Sequence, residues 1–229
     1  MMEFPKPDTV KASDTLQKVT AWVGPMGRAF KKTNDESKLF AVWQERQILG
    51  FISQVGFYAR DVDESYRSKR IDSLAQALRN LMELDVWAEY CDVSEANAKQ
   101  FFDDMARDVR EVIEIHQKLH IKFAKKPYEG TDDFNKALRG HAETLGVTNL
   151  DGKYTQVRDA AKKLGRSLRH DGLYKIASKY AHPTSLMLVQ NECPGILMDR
   201  FYEGGATLCY SCLARVERTI LKRYPNFDV

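Results

Sequence analysis

Apolar residues recur at intervals of three and four along most of this chain, with polar residues between them. This spacing is typical of helices that bury one face, and no stretch alternates apolar and polar residues over the length of a strand. The pattern therefore predicts an all-α protein. The predicted helices span residues 12–23, 37–62, 63 or 65 to 87, 94–124, 131–146, 154–168, 171–181 and 206–223.

Proline and glycine mark several of the expected boundaries. Residues 1–11 contain Pro5 and Pro7 and few apolar residues, which predicts a loosely held N-terminal arm. Gly24 and Pro25 are expected to end the first helix, because proline lacks the amide hydrogen and clashes with the preceding turn. The remaining residues, 12–229, are enough for one sizeable core. We therefore expect a single-domain helical bundle.

The third and fourth predicted helices carry the most informative faces. Apolar residues cover more than half of the third helix, so we expect it at the centre of the bundle. Its remaining side is a polar stripe formed by Asp72, Gln76, Arg79, Asn80 and Glu83. Ser94 is expected to cap the fourth helix. The predicted inner face of that helix consists of Ala98, Phe101, Phe102, Met105, Val109, Val112, Ile113, His116 and Leu119.

Composition adds little about function but limits the location. The 35 basic and 32 acidic side chains give a formal net charge of +3. This near balance does not by itself indicate a nucleic-acid partner. The sequence has no apolar run long enough to span a membrane, and its N-terminus lacks the pattern of a signal peptide. We therefore expect a cytoplasmic protein without a membrane contact, whose four cysteines stay reduced.

A histidine at the end of a helix is the first candidate for chemistry. Pro183 is expected to stop the helix of residues 171–181, which leaves His182 beside the last carbonyl groups. One interpretation makes His182 a structural cap. The other makes it a general acid or base that Tyr174, Ser178 or Glu83 orients. Lys175 and Lys179 follow on the same helix as candidates for binding an anion.

Arg79 and Glu83 are the second candidate, because they lie one helical turn apart on the polar stripe. In a central helix the pair could be a buried structural anchor or part of a site. The densest basic patch, formed by Lys162, Lys163, Arg166, Arg169 and His170, is open to a similar choice. It could be a solvated helix face or a surface that contacts phosphate groups.

Two other motifs favour a structural role over a catalytic or metal-binding role. Cys209 and Cys212 have the spacing of a redox or zinc half-site, but both fall on the apolar stripe of the last helix, and no second half-site accompanies them. We therefore expect core packing, and we expect neither a metal nor a cofactor. His116 lies six positions after Arg110, a spacing that arises about once by chance in such a chain. A buried, hydrogen-bonded His116 is the expected outcome.

Two segments carry a resemblance to a known family. Residues 71–108, with Arg79 and Glu83 one turn apart, and residues 174–185, YKIASKYAHPTS, resemble a family of uncharacterised bacterial helical proteins. That family is distantly similar to the HEPN superfamily. HEPN proteins are helical bundles that include RNA-cleaving toxins, antiphage components and catalytically silent members. The resemblance covers about half of the chain.

The resemblance implies both a fold and a set of site residues. It implies a HEPN-like bundle that binds RNA or a nucleotide, and homodimers, because such domains commonly pair. His182, Glu83 and Arg79 would be catalytic, whereas Tyr174, Ser178, Lys175 and Lys179 would bind the ligand.

The chain departs from the arginine-to-histidine motif of active HEPN nucleases, because Lys175, Ile176 and Ala177 occupy the positions of the arginine. The resemblance alone therefore does not decide whether the chain cleaves RNA. One alternative is a non-enzymatic interaction or defence module, in which an Arg-Glu-His network is structural. Another is a bundle that binds a small molecule in a pocket.

Overall fold

Eight helices contain most of the residues that the structure describes. The structure is a computed structural model, and it describes residues 6–127, 129–144, 146–147, 150, 155–181 and 195–228. Within these ranges there is no strand, so the prediction of an all-α protein is confirmed. The helices are α1 (Thr9–Ser37), α2 (Val42–Arg67), α3 (Ile71–Val93), α4 (Glu95–Ala124), α5 (Thr131–Thr144), α6 (Val157–Lys163), α7 (Ser167–Ala181) and α8 (Gly195–Leu221).

The main hydrophobic core lies between α1, α2, α3 and α8. The central position predicted for the helix that carries Arg79 is confirmed, because α3 packs against α2, α4, α6, α7 and α8. Its apolar residues Leu74, Ala75 and Leu81 are fully buried. Both cysteines of the predicted core motif, Cys209 and Cys212, are also fully buried. Among the described helices, none combines the length and the apolar character needed to cross a membrane.

The first helix is longer than expected at both ends. It begins at Thr9, where Asp8 accepts a hydrogen bond of 2.9 Å from the amide of Lys11. Residues 9–11 of the expected arm are thus helical, and residues 1–5 lie outside the described part. The predicted break at Pro25 is wrong. Met26 and Phe30, both fully buried after the proline, contribute burial energy that offsets the roughly 3 kcal/mol cost of proline in a helix.

The predicted junctions around α2 are displaced. The second helix begins at Val42, because Ser37 still belongs to α1 and its hydroxyl bonds to the carbonyl of Thr33. At the other end, α2 continues to Arg67, so the expected start of the third helix at residue 63 or 65 is wrong. Lys69 has a left-handed backbone with φ of 57°, and this reverses the chain before α3.

The fourth helix has the predicted ends but not the predicted buried face. Ser94 caps it by accepting a hydrogen bond of 3.1 Å from the amide of Asn97, and the helix ends at Ala124. Phe102 is buried as expected. Beyond it, Met105, Val109, Val112 and Leu119 are exposed, and so is His116. The physical reason is that this half of α4 extends past α2 and α3 and packs against α5.

Glycines explain two further differences. Gly165, with φ of 69°, separates α6 from α7, so the predicted helix of residues 154–168 is in fact two helices. The last helix was predicted to begin at residue 206, directly after Gly204 and Gly205, but it begins at Gly195 and both glycines lie inside α8. A Cβ atom at Gly205 would be 2.9 Å from Cγ1 of Val62, so the absent side chain lets α8 approach α2 closely.

Candidate functional site

Arg79 of α3 meets Tyr174 of α7. The guanidinium carbon lies 4.4 Å from the centroid of the tyrosine ring, and Nη2 donates a hydrogen bond to the tyrosine hydroxyl. Nη1 lies 3.5 Å from Oε1 of Gln76. A guanidinium held over an aromatic ring has fewer accessible orientations than one in solvent. The structure thus brings together two of the residues singled out in the sequence.

A histidine extends this arrangement on α7. The rings of His170 and Tyr174 stack with centroids 5.2 Å apart and an angle of 22° between their planes. His170 is only 6% exposed, and Nδ1 lies 3.5 Å from Oδ1 of Asp171. The stack therefore orders His170, Tyr174 and Arg79 between α7 and α3. We did not expect an inward His170, because the sequence placed it in a basic surface patch.

The predicted basic patch does not form a continuous surface. His170 is buried, and Arg166 binds carboxylates of α3. Lys162 and Lys163 are exposed, and the side chain of Arg169 lies outside the described part. Two of its five members are thus directed inward, and Lys162 and Lys163 are the exposed members among the described side chains.

Ser178 follows Tyr174 by one helical turn and lies on the same side of α7. Its hydroxyl oxygen is buried and has no hydrogen-bond partner among the described residues. By contrast, Lys175 and Lys179 are exposed on the outer side of this helix. His182 and Pro183 lie outside the described residues, directly after Ala181. The predicted binding residues therefore separate into an inner pair, Tyr174 and Ser178, and an outer pair of lysines.

Glu83 lies on the polar stripe one turn after Arg79 but faces a different neighbouring helix. The expected Arg79–Glu83 ion pair is absent among the contacts of the described residues, because the guanidinium turns toward Tyr174 and Gln76. Glu83 instead faces α2. Burial raises the pKa of Tyr58 there, the negative charges of Asp61 and Glu83 raise it further, and a hydrogen bond with Asn80 opposes the shift.

Glu83 also lies on the wall of a large cavity of about 980 Å³ between α2, α3 and α4. This volume is at the upper end of the range for small-molecule sites. Aromatic and aliphatic side chains form most of the wall, namely Leu49, Phe51, Leu84, Trp87, Phe101, Phe102 and Met105. The polar side chains at the cavity include Arg46, Gln47, Gln54, Glu83, Asp104, Asp108 and His141.

Two aspartates of α4 give one side of the cavity an acidic character. Asp104 is buried, pairs with Arg107, and accepts a hydrogen bond of 3.0 Å from the amide of Thr155. Burial raises the pKa of Asp108, and the carboxylates of Asp104 and Glu111 raise it further. The cavity thus combines an aromatic wall with carboxylate acceptors. Such a lining suits a flat ligand that carries amino groups.

Sequence reasoning missed a second polar cluster, on the opposite side of α3. Asp85 is 4% exposed and accepts from Nη1 of Arg166 at 2.9 Å, Nε of Arg215 at 3.2 Å and Oγ of Ser211 at 2.9 Å. Glu89, one turn later, pairs with the same two arginines. The available signal was a pair of acidic residues four positions apart inside the most apolar helix. We interpret this cluster as structural.

The cysteines of α8 show no sign of redox or metal chemistry. Burial raises the pKa of Cys209 to about 12 and that of Cys212 well above its usual value, so both thiols stay protonated. Within the described ranges, no cluster of three or more histidine, cysteine, aspartate or glutamate side chains could hold a metal ion. Cys193 lies outside those ranges. Cys209 and Cys212 therefore serve as core residues.

Comparison with protein families gives a match over most of the chain. A model of a family described as being of unknown function matches residues 48–192. This region begins in α2 and contains both segments that carried the resemblance, residues 71–108 and 174–185. No curated protein matches the chain, and no solved structure does. The expectation of an uncharacterised family is confirmed.

Proposed function

The chain belongs to the family of unknown function DUF5677, and from this premise we propose that it is a HEPN-like helical protein that binds RNA or a nucleotide. The observation that carries the proposal is the position of Arg79 against Tyr174, one helical turn from the buried hydroxyl of Ser178. This places a fixed guanidinium and a hydroxyl group without a described partner on one side of α7.

An arginine in this position suits a phosphate group. The guanidinium is planar and can donate two parallel hydrogen bonds to phosphate oxygens, and stacking on Tyr174 reduces the entropy that binding costs. Arg79 is only partly buried, so a ligand can reach it. In this proposal Arg79 binds a phosphate, while Tyr174 and Ser178 fix its orientation and contribute polar contacts.

The cavity beside Glu83 suits a nucleobase. Trp87, Phe101 and Phe51 supply aromatic surfaces on which a base can stack, a contact worth about 1–3 kcal/mol per base. Glu83 and Asp108 supply carboxylate oxygens for the amino groups of a base. Because Glu83 follows Arg79 by one turn, the proposed base and phosphate positions are adjacent along α3.

Cleavage of RNA would require a further group that moves a proton. We assign this role to His182, as the acid or base that Glu83 assists, and we assign Lys175 and Lys179 to electrostatic attraction of the backbone. In such a step His182 takes the proton of the ribose 2′-hydroxyl, the 2′-oxygen attacks the adjacent phosphorus, the bond from phosphorus to the 5′-oxygen breaks, and the imidazolium of His182 returns the proton to that 5′-oxygen. The proposed binding does not require this step.

Binding to short RNA oligonucleotides and to nucleotides, measured by fluorescence anisotropy, tests the proposal. We expect Arg79→Lys to weaken binding at least about tenfold, because lysine keeps the charge but lacks the planar donor arrangement. Arg28→Ala, which removes an exposed arginine of α1, is the matched control and should bind as the wild type does. Absence of any binding by the wild type would refute the proposal.

A second candidate function is a non-enzymatic interaction or defence module. It is favoured by the fact that Arg79 already contacts protein groups, which is also what a structural network requires. In that case the wild type should not bind RNA or nucleotides, and Arg79→Ala should lower the free energy of unfolding by about 2–3 kcal/mol. Measuring binding and unfolding on the same variants separates the two functions.

A further inference from the structure

Glu83 and Trp87 lie one helical turn apart on α3, and both line the large cavity between α2, α3 and α4. The ring centroids of Trp87 and Phe101 are 4.6 Å apart, and Phe51 stacks on Phe101 at 5.7 Å with an angle of 22° between the planes. Side chains one turn apart on a helix are neighbours. A planar ligand that stacks on Trp87 therefore has the carboxylate of Glu83 beside one of its edges.

Arg46 brings a positive charge to the same cavity from α2. It lies one turn before Gly50, whereas Glu83 neighbours Tyr58, which lies two turns after Gly50. The guanidinium and the carboxylate thus approach from either side of Gly50. Neither group forms a hydrogen bond or an ion pair with another residue of the described part, so both are available to a ligand.

Gly50 leaves the cavity open on the side of α2. This residue is exposed, and a Cβ atom added to it would have no heavy atom within 4 Å. Packing therefore does not require a glycine here, although glycine weakens the interior of a helix relative to alanine. The missing side chain leaves space in which the ring of a ligand can lie close to the backbone.

Among the carboxylates at the cavity, that of Glu83 has the greatest capacity to accept hydrogen bonds. Asp104 already uses both oxygens, one for Arg107 and the other for a backbone amide. Burial and two neighbouring carboxylates raise the pKa of Asp108, which favours a protonated form with fewer acceptor positions. Glu83 is therefore the group that can accept two parallel hydrogen bonds from one ligand.

Guanine is the RNA base whose edges match these two charged groups. N1–H and the 2-amino group are adjacent donors that a carboxylate can accept together, and N7 and O6 are adjacent acceptors for a guanidinium. Adenine and cytosine carry a ring-nitrogen acceptor beside their amino group, and uracil has one N–H between two carbonyl groups. Each of these three bases would therefore set an acceptor against the carboxylate.

We propose that the cavity selects guanine among the RNA bases. Glu83 accepts from N1–H and the 2-amino group, Arg46 donates to N7 and O6, and Trp87 stacks on the ring. The selection rests on the proposed function, because guanine is here the base of the bound RNA or nucleotide. The phosphate group stays with Arg79, one turn before Glu83.

Five-nucleotide RNAs that differ only in their central base, placed between uridines, test the selection by fluorescence anisotropy. We expect the RNA with guanine to bind at least about tenfold more tightly than those with adenine, cytosine or uracil. Inosine lacks only the 2-amino group of guanine, and 7-deazaguanine lacks only N7. Each should bind about three- to tenfold more weakly than guanine, because each loses one hydrogen bond.

The substitution Glu83→Gln should change the preferred base. An amide offers one donor and one acceptor, which pair with the ring nitrogen and the amino group of adenine. The guanine RNA should bind at least about tenfold more weakly to this variant, and the adenine RNA at least as tightly as to the wild type. The matched control is Glu64→Gln, because Glu64 is exposed on α2 and does not line the cavity. It should keep the preference for guanine.

The substitution Gly50→Leu should fill the cavity without disturbing the core. We expect it to weaken binding of the guanine RNA at least about tenfold, because the leucine occupies the space of the base. Circular dichroism and urea denaturation should show a protein at least as stable as the wild type, since leucine favours a helix. Gly140→Leu is the matched control, because a Cβ atom there also has no heavy atom within 4 Å and α5 carries it outside the cavity wall.

The outcomes separate the selection from the proposed function. Equal binding of the four RNAs would overturn the selection and leave the proposed function intact. A preference for guanine that survives both Glu83→Gln and Gly50→Leu would also overturn it, since the base would then lie outside the cavity. No binding of any of the four RNAs would contradict both. A guanine preference that Arg79→Lys leaves at full affinity would contradict only the phosphate contact of the proposed function.

Discussion

Nε of Arg215 on α8 lies 3.2 Å from Oδ1 of Asp85, a carboxylate that is buried in the middle of α3. Arg166, which directly precedes α7, reaches the other oxygen of the same carboxylate at 2.9 Å. Asp85 thus joins three segments of the chain at one point. Because α7 also carries Tyr174, this cluster helps to set the position at which Tyr174 meets Arg79.

Asp85→Ala should lower the free energy of unfolding by about 3 kcal/mol, because it leaves Arg166 and Arg215 without one of their acceptors in a mostly buried site. Urea denaturation followed by circular dichroism measures the change. The matched control is Asp72→Ala, which removes an exposed carboxylate from the same helix and should change stability by less than about 0.5 kcal/mol. Equal effects of the two substitutions would contradict a structural role for the cluster.

Substitutions of Tyr174 should separate its hydroxyl from its ring. Tyr174→Phe removes the acceptor of the Arg79 hydrogen bond and should cost about 1 kcal/mol of stability. Tyr174→Leu also removes the aromatic face under the guanidinium and should cost about 1 kcal/mol more. Chemical denaturation gives both values.

The same substitutions in an Arg79→Ala background complete the test. If Arg79 is the partner that matters, Tyr174→Phe should have little further effect once the arginine is gone. Full additivity of the two substitutions would mean that the stability effect of Tyr174 comes from its other neighbours, such as His170.

Stability at alkaline pH should depend on Tyr202. Burial, together with a hydrogen bond of 2.8 Å to Asp63, raises the pKa of this hydroxyl to about 12. A raised folded-state pKa stabilises the protein below the unfolded-state pKa of about 10, and this contribution disappears as the pH rises to about 12. The difference in unfolding free energy between wild type and Tyr202→Phe should therefore be smaller at pH 11.5 than at pH 9. An unchanged difference would contradict the assignment of the shift to Tyr202.

Local sequence pattern accounts for much of the fold. The spacing of Leu74, Leu78 and Leu81 was sufficient to identify α3 as the central helix, and Ser94 marked the start of α4 because a cap acts within one turn. The helix end predicted at Pro25 was wrong, because the burial of the residues that follow it outweighs the local cost of a proline inside a helix. The prediction that Met105 and Val109 are buried was also wrong. Amphipathic spacing shows that a helix has an apolar face, but it does not show whether another part of the same chain covers that face.

Only part of the candidate site could be predicted, for a related reason. Arg79 and Tyr174 were both singled out, but their contact joins residues 95 positions apart in the sequence, and no local pattern contains it. The large cavity depends on how α4 diverges from α2 and α3. The inward turn of Arg166 depends on acidic partners in α3, and His170 stacks on Tyr174 of its own helix. Such features arise from packing between helices, and a single sequence does not give the relative positions of helices.

Close packing of α8 against α2 gives the final prediction. A Cβ atom at Gly205 would lie 2.9 Å from Cγ1 and 3.0 Å from Cγ2 of Val62, whereas one at Gly204 would lie 3.5 Å from Leu78, an ordinary contact. Gly205→Ala should therefore destabilise the protein by about 1–3 kcal/mol through overpacking. Gly204→Ala, at the adjacent position of the same helix, should be neutral or slightly stabilising, since alanine favours a helix.

The substitution Val62→Ala should relieve the clash that Gly205→Ala creates. Alone it should cost about 1–3 kcal/mol, because it leaves a small cavity in the core. Combined with Gly205→Ala it removes the methyl groups that clash, so the double variant should be more stable than the sum of the two single effects predicts by at least about 1 kcal/mol. Thermal and urea unfolding of the four proteins measure this coupling. Simple additivity would mean that α8 moves away from α2 at no cost, and that the close approach at Gly205 does not hold the two helices together.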